Sequence, residues 1–298
     1  MNEINMRKKR KVRKSPGYIA YKVCLTIIML LLAMIILYPL LNLVAISFSN
    51  PDYIVSGKVS LIPVGFNVEA YKIVLGDKKI YEAYGRTILV CFLSVVLSLI
   101  MLCLAAYPLA FGKFKTKKLY AKFITLTMFL SAGIIPNYFV IYSLQLNGKL
   151  MSLVVGGLLS AYNIIVVRSY FDGLPKALIE SARVDGANDF EILFRIVIPC
   201  SKPILATVAL WIIVGQWNNY QNALINLDGV NDTLQVYIAK IISDVNTMYG
   251  IGSGQASPGL PIQVRDAAIV CCIIPILIVF PFAQKFLVSG VTVGSVKE

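Results

Sequence analysis

Apolar residues run along this chain in long blocks, with the charged residues confined to the gaps between them. No charge lies between Lys22 and Asp52, Arg86 and Lys113, Lys122 and Lys149, Lys149 and Arg168, Lys202 and Asp228, or Asp266 and Lys285. Each gap is about 18 residues or longer, the length a helix needs to cross a bilayer. The pattern predicts an all-α integral membrane protein with six transmembrane helices. They run about Val23–Ser47, Thr87–Phe111, Tyr120–Gln145, Leu150–Tyr170, Ile204–Ala223 and Ala267–Phe286. Pro39 and Pro136 predict kinks in the first and third, and Pro275 and Pro281 lie inside the sixth. A segment from Leu224 to Gln263 holds a short amphipathic helix near Thr233–Ser243 and a Gly/Ser/Pro loop. The chain divides into a basic tail, 1–22, a membrane domain, 23–287, and a tail, 288–298. The run Val23–Ser47 is too long for a signal peptide's apolar region, so it reads as a retained first span.

Composition agrees: 58% of the 298 residues are hydrophobic and mean hydropathy is +0.76. Lys and Arg then set the orientation. With the N-terminus inside and six crossings, the inner segments hold 20 of the 28 basic residues, and the outer loops hold eight basic and eight acidic ones. The net charge of +13 therefore belongs to a cytoplasmic face, and both termini are expected there. Basic residues that flank spans in this way need no nucleic acid to explain them. The chain has no His, which removes His-based catalysis, metal ligation and pH switching. Its six Cys form no CxxC and read as packing residues.

One stretch breaks the apolar monotony. "ESARVDGANDFEILFRIVIP", Glu180 to Pro199, carries six charges. Pro175 suits a helix's first turn, and "KALIESARV" reads as a short helix presenting Ala177, Ala182 and Val184. Asp185-Gly186 is a turn, with Gly186 free to take positive φ. Asn188 and Glu191 have capping-box spacing for a second helix, on which Phe190, Leu193, Phe194 and Val197 recur at helical intervals. The loop, about 172–202, reads as a small helix–turn–helix knob on the cytoplasmic side, with Glu180 fixing its register on a partner. A plain amphipathic loop resting on lipid headgroups is the alternative.

Glu180, Ala182, Asp185, Gly186, Ala187, Ile196, Ile198 and Pro199 together resemble the EAA motif of ABC importer permeases, with Ser181 standing where that family usually has Ala. "QWNNYQNALI" (Gln216–Ile225) resembles the end of the fifth helix in sugar permeases. "IPILIVFPFAQKFLVSGVTVGSVKE" and "VSLIPVGFNVEAYKIVL" are similar to the tail and first outer loop of the maltose-importer second-permease type, in its complex oligosaccharide and polysaccharide subgroup. The resemblance covers about residues 20–298. It implies the type I importer permease fold, with Glu180, Ser181, Ala182, Asp185, Gly186, Ala187 and Pro199 forming a coupling helix and turn. It implies a second homologous permease, a cytoplasmic ATPase dimer, an extracytoplasmic solute-binding protein and a carbohydrate substrate in a bacterial plasma membrane. This chain has no Walker A sequence, so ATP and magnesium belong to the partner ATPase and no cofactor is expected here.

Sugars are held by polar side chains and aromatic faces. Ser131, Tyr138, Tyr142 and Gln145 share a face of the third span, and Trp211, Gly215, Asn218 and Asn222 a face of the fifth. With Trp217 and Asn219 these supply the candidate pathway residues Tyr138, Tyr142, Gln145, Trp217, Asn218, Asn219 and Asn222. Asn42, Asn137 and Asn163 are weaker candidates. Amides and Tyr also bond between helices, and Trp and Tyr also anchor at the bilayer surface. Arg86, Lys240 and Arg265, on the outer side, can meet an acidic sugar or the binding protein, with plain solvation the first reading. Three rivals stand beside this reading. An intramembrane enzyme would use Asp185 and Asp189 without His or a metal cluster. A secondary transporter would want an ionisable group inside a span. A permease for a non-sugar solute keeps the fold and changes the cargo.

Overall fold

The computed structural model describes residues 16–130, 132–229, 231–249 and 259–293. The run Arg7–Lys14, Ser131, most of the Gly/Ser/Pro loop and the final five residues lie outside them. Among the described residues there is no strand; fifteen α-helices and one π turn make up the regular structure.

The chain opens with α1 (Pro16–Ser47), apolar on every side and exposed from Ala20 through Leu41. A helix apolar all round belongs in lipid. Only its C-terminal end is packed, where Ser47 is buried and its Oγ lies 2.9 Å from the Tyr71 hydroxyl. Two short helices follow, α2 (Pro51–Val55) and α3 (Glu69–Gly76).

Helix α4 (Lys78–Phe111) is the axis of the bundle. It starts nine residues before the apolar run does. Asp77 caps it, accepting the Lys79 N–H at 2.9 Å, and Glu82 pairs with Arg86 one turn on at 2.8 Å. Hydropathy marks the stretch that fits in lipid, and the helix continues into water.

The third and fourth spans are not continuous. Lys117–Thr127 forms α5 and Ile134–Ser143 forms α6, with Gly133 between them at φ +83°. Pro136 therefore does not kink a long helix. It sits in the first turn of a new one, where its missing N–H costs nothing. Met151–Gly156 forms α7 and Ala161–Asp172 forms α8, capped by Ser160. Gln145, at φ +56°, lies in a turn beyond α6 rather than on its face.

After α9 (Lys176–Val184) and α10 (Asp189–Ile192) comes a π turn, Leu193–Val197, then α11 (Ile198–Cys200). The chain bends by 81° around Ser201 into α12 (Lys202–Trp217). The fifth span breaks again at Asn218–Asn219 before α13 (Tyr220–Asn226). The amphipathic helix near Thr233 is present as α14 (Leu234–Tyr249), and α15 (Gly259–Val293) closes the chain.

By length and composition, three described helices can cross a membrane uninterrupted: α1, α4 and α15. The bent run Asp189–Trp217 is a fourth candidate. The expected spans are corrected in one respect: the third, fourth and fifth charge-free blocks hold broken helices rather than continuous ones.

Two clusters share α4. Around its C-terminal half, Leu102, Ala106 and Leu109 pack with Phe171 of α8, Ile179 and Ala182 of α9, and Val208 of α12. Around its N-terminal half, Ile80, Ala83 and Cys91 pack with Val74, Leu234, Val264 and Ala268. Pro275 in α15 has no N–H to give the carbonyl of Cys271, and the Tyr84 hydroxyl supplies that bond at 2.7 Å. Trp217 donates its indole N–H to the next carbonyl, Cys272, at 3.2 Å.

Phe171 is fully buried in the first cluster, whereas Val184 is 87% exposed. Phe171→Ala is expected to cost about 3–5 kcal/mol, and Val184→Ala to stay within about 0.5 kcal/mol. Thermal unfolding in detergent checks both.

Candidate functional site

The charged block folds as two capped turns. Pro175 leads into α9, which ends in a Schellman arrangement: the Ala187 N–H reaches the Ala182 carbonyl at 2.9 Å and the Gly186 N–H reaches the Arg183 carbonyl at 3.2 Å. This requires a left-handed residue, and Gly186 has φ +83°. Two residues later Asn188 starts α10 with a complete capping box. Its Oδ1 accepts the Glu191 N–H at 2.9 Å, and its own N–H donates to Glu191 Oε2 at 3.1 Å.

Glu180, Ser181, Asp185, Gly186 and Pro199 are exposed and Ala187 is half-buried. Ala182 is not on the surface. It is 7% exposed and packs with Ile179 into the core beside α4, so the presented face is corrected to Ala177, Leu178, Glu180, Ser181 and Val184. The second helix is split in the same way: Leu193 and Val197 face the core, and Phe190 and Phe194 stand out at 68% and 50% exposure.

Sequence reasoning missed what ties this knob to the bundle. Asp189 Oδ1 accepts from the Tyr107 hydroxyl at 2.8 Å and from Arg183 at 3.1 Å. Tyr107 belongs to α4, Arg183 to α9 and Asp189 to α10, so one carboxylate joins three helices. The Tyr107 phenol and then the Arg183 guanidinium hold the Asp189 carboxyl below its usual range, and Asp189 in turn raises Arg183. A phenol near the end of an apolar span is the one local signal, but its partner lies 82 residues away.

The helix breaks converge on a second place. Ile134, Asn137, Tyr138 and Ile141 from α6, Ser152, Gly156 and Gly157 at α7 and its end, and Asn219, Asn222 and Asn226 around α13 line a cavity of about 290 Å³. Irregular backbone at membrane depth is tolerated where it is buried in protein or lines a wet cavity. The structure thus brings together Tyr138, Asn219 and Asn222 of the pathway candidates, and Asn137 with them. The Tyr142 ring lies tilted beside that of Tyr138 (centroids 6.1 Å apart) but does not line the cavity. Gln145 is in its turn. Trp217 is buried against α15, and Asn218 bonds the Val214 carbonyl at 2.9 Å on another side of the helix.

The cavity's polar wall is connected. Asn222 Nδ2 donates to Asn219 Oδ1 at 2.9 Å, Asn219 Nδ2 to Gln216 Oε1 at 3.0 Å, and Gln216 Nε2 to the Leu153 carbonyl at 3.1 Å. Gln216 stands beside the singled-out residues in sequence and was passed over. Ser152 and Asn226 line the cavity too, and each has a buried side-chain oxygen without a partner.

Comparison with known proteins agrees with this architecture. Residues 12–293 match the family described as binding-protein-dependent transport system inner membrane component. The chain is 33% identical over 272 residues to the polygalacturonan/rhamnogalacturonan transport system permease protein YtcP of Bacillus subtilis (strain 168), covering 90% of this chain and 95% of that one. It is 25% identical to the arabinooligosaccharides transport system permease protein AraQ of the same organism, covering 96% and 99%. It also superposes with a TM-score of 0.82, at 33% identity, on a chain from the crystal structure of a bacterial ABC transporter involved in the import of the acidic polysaccharide alginate. That match covers 91% of this chain and 98% of the other.

The Asp189 clamp predicts a pH dependence. The folded carboxyl titrates below its unfolded value of about 3.9, so its contribution is present above that pH and lost as pH falls through the folded value. Wild type should therefore unfold at a higher temperature than Asp189→Asn at pH 7, and the difference should close below about pH 4. Thermal unfolding of both proteins from pH 7 to pH 3 measures it.

Proposed function

The chain belongs to the family of binding-protein-dependent transport system inner membrane components, and we propose that it forms the sugar path of an ATP-driven importer. It is a multi-pass membrane transport subunit and not an enzyme. Its cargo is an oligosaccharide or polysaccharide fragment, as the names of its relatives and the alginate importer support. The observation that carries this reading is the polar cavity at the convergence of three helix breaks. Amides and a Tyr in a chain this apolar mark a place where hydroxyl groups are handled. A non-sugar cargo and a secondary transporter find no such support among these relatives.

The partners follow: an ATPase pair and a solute-binding protein, with a second, related permease completing the path. ATP and magnesium sit on the ATPase, and this chain holds no cofactor. The basic face, with both termini, lies in the cytoplasm. There the exposed Glu180, Ser181, Asp185 and Gly186 of the knob engage the ATPase, with Ala182, Ala187 and Pro199 shaping the turn behind them. Because Asp189 joins the knob to α4 through Tyr107, a push on the knob reaches the helix that both clusters share.

Purification in mild detergent with mass spectrometry tests the assembly. A second permease and an ATPase should come with the tagged chain. A lone or self-paired protein, even after cross-linking, would return the knob to a loop on lipid headgroups. Gly186→Val tests coupling. A Cβ at Gly186 meets nothing within 4 Å, so the cost is torsional, about 1–2 kcal/mol for a left-handed L residue. The variant should insert and assemble but lose sugar-stimulated ATP hydrolysis, and wild-type uptake would refute the assignment. Glu180→Lys should reduce the ATPase recovered.

A further inference from the structure

We infer that one backbone carbonyl sets the amides of the cavity wall in a fixed order, so that Asn222 offers its Oδ1 acceptor to a sugar hydroxyl. The inference rests on the sugar reading above and adds which ligand chemistry the wall accepts.

The ladder begins at the break in the fourth span. Helix α7 ends at Gly156, and the Gly157 N–H turns to Val155 instead of completing a bond to Leu153. Gln216 takes the Leu153 carbonyl with its Nε2. A backbone carbonyl only accepts, so Gln216 must turn its NH2 group toward it and its Oε1 away. Asn219 meets that oxygen and must present its own NH2. Asn222 meets Asn219 Oδ1 and must do the same. Every amide in the row is therefore oriented from the root: each keeps a second N–H, and the oxygen left over at the cavity end is Asn222 Oδ1.

Two further observations support a ligand there. Asn226 and Ser152 line the same cavity, are only 7% and 1% exposed, and keep a side-chain oxygen unpaired. None of the described lining residues carries a charge. With no formal charge to pair with a carboxylate, the wall offers hydrogen bonds alone, and a sugar hydroxyl can donate to Asn222 Oδ1. Gly157 guards the root: a Cβ there would lie 3.0 Å from Gln216 Nε2.

The ladder is testable without sugar. Gln216→Met and Asn219→Ala should each lower the thermal midpoint in detergent, and the double variant should fall by less than the sum of the two. Gly157→Ala should lower it as well, with the loss relieved in the Gln216→Met background. Additive losses would overturn the ladder. The Asn222 acceptor is tested in proteoliposomes holding this chain with its second permease and ATPase, plus the binding protein outside. The probes are trigalacturonate, an alginate trisaccharide and arabinotriose; the best-imported one is then compared with its singly deoxyfluorinated forms. In wild type, loss of the contacting hydroxyl should raise apparent KM about tenfold, the size of one good hydrogen bond. In Asn222→Ala that penalty should vanish, with ATPase co-purification confirming that the variant assembles. The binding protein is common to both, so its own preference cancels. A penalty unchanged in Asn222→Ala would overturn the inference while leaving the import reading intact. Uptake of none of the sugars by wild type would sink the import reading and the hydroxyl claim together, and the thermal cycle would still decide the ladder.

Discussion

In lipid, every backbone N–H and C=O must find a partner inside the protein. That constraint organises this fold more than any packing preference does. Helices α1, α4 and α15 meet it by being long and unbroken. The remaining apolar segments break, and each break needs an answer nearby. The Leu153 carbonyl is answered by Gln216, and the Gly148 N–H by the Asn226 carbonyl at 2.7 Å. Even α15 obeys it, with Tyr84 replacing the bond that Pro275 cannot make. Gln216, which answers Leu153, bonds Asn219 and through it Asn222 on the cavity wall, so one backbone repair is joined to the proposed transport path.

The same economy appears at the other end of α4. The knob is built from local rules, a Schellman stop followed at once by a capping box, and therefore has a fixed shape before any partner arrives. Its connection to the bundle is a separate matter. A buried apolar face carrying Ile179 and Ala182 seats it, and the Asp189 carboxylate ties it to Tyr107 and Arg183. Exposed Val184, Phe190 and Phe194 are left for whatever it meets.

What was legible in the sequence divides along the range of the interactions. The apolar blocks, the α9 turn, the positive φ at Gly186 and the Asn188–Glu191 box were all readable, because each depends on residues a few positions apart. The breaks at Gly133 and Gly157 were not, since hydropathy averages over a segment and is blind to a turn of one or two residues within it. Tyr138, Asn219 and Asn222 were recognised as polar residues out of place, but periodicity assumed intact helices and so grouped them with Tyr142, Gln145 and Asn218. The Tyr107–Asp189 bond and the Gln216–Leu153 bond join distant parts of the chain, and no local pattern announces them.

Gly186 has open space where a side chain would go, yet its backbone is left-handed. The position therefore discriminates by handedness alone, not by size. A D-amino acid would suit its backbone, since inversion at Cα moves the favoured region to positive φ. Among the genetically encoded residues only the achiral one takes this backbone without a torsional cost, although Gln145 and Asp228 show that L residues can be held at positive φ. Drift at this turn is thus penalised by stereochemistry even though nothing crowds it, and a chemically synthesised knob with a D-residue there would keep its backbone.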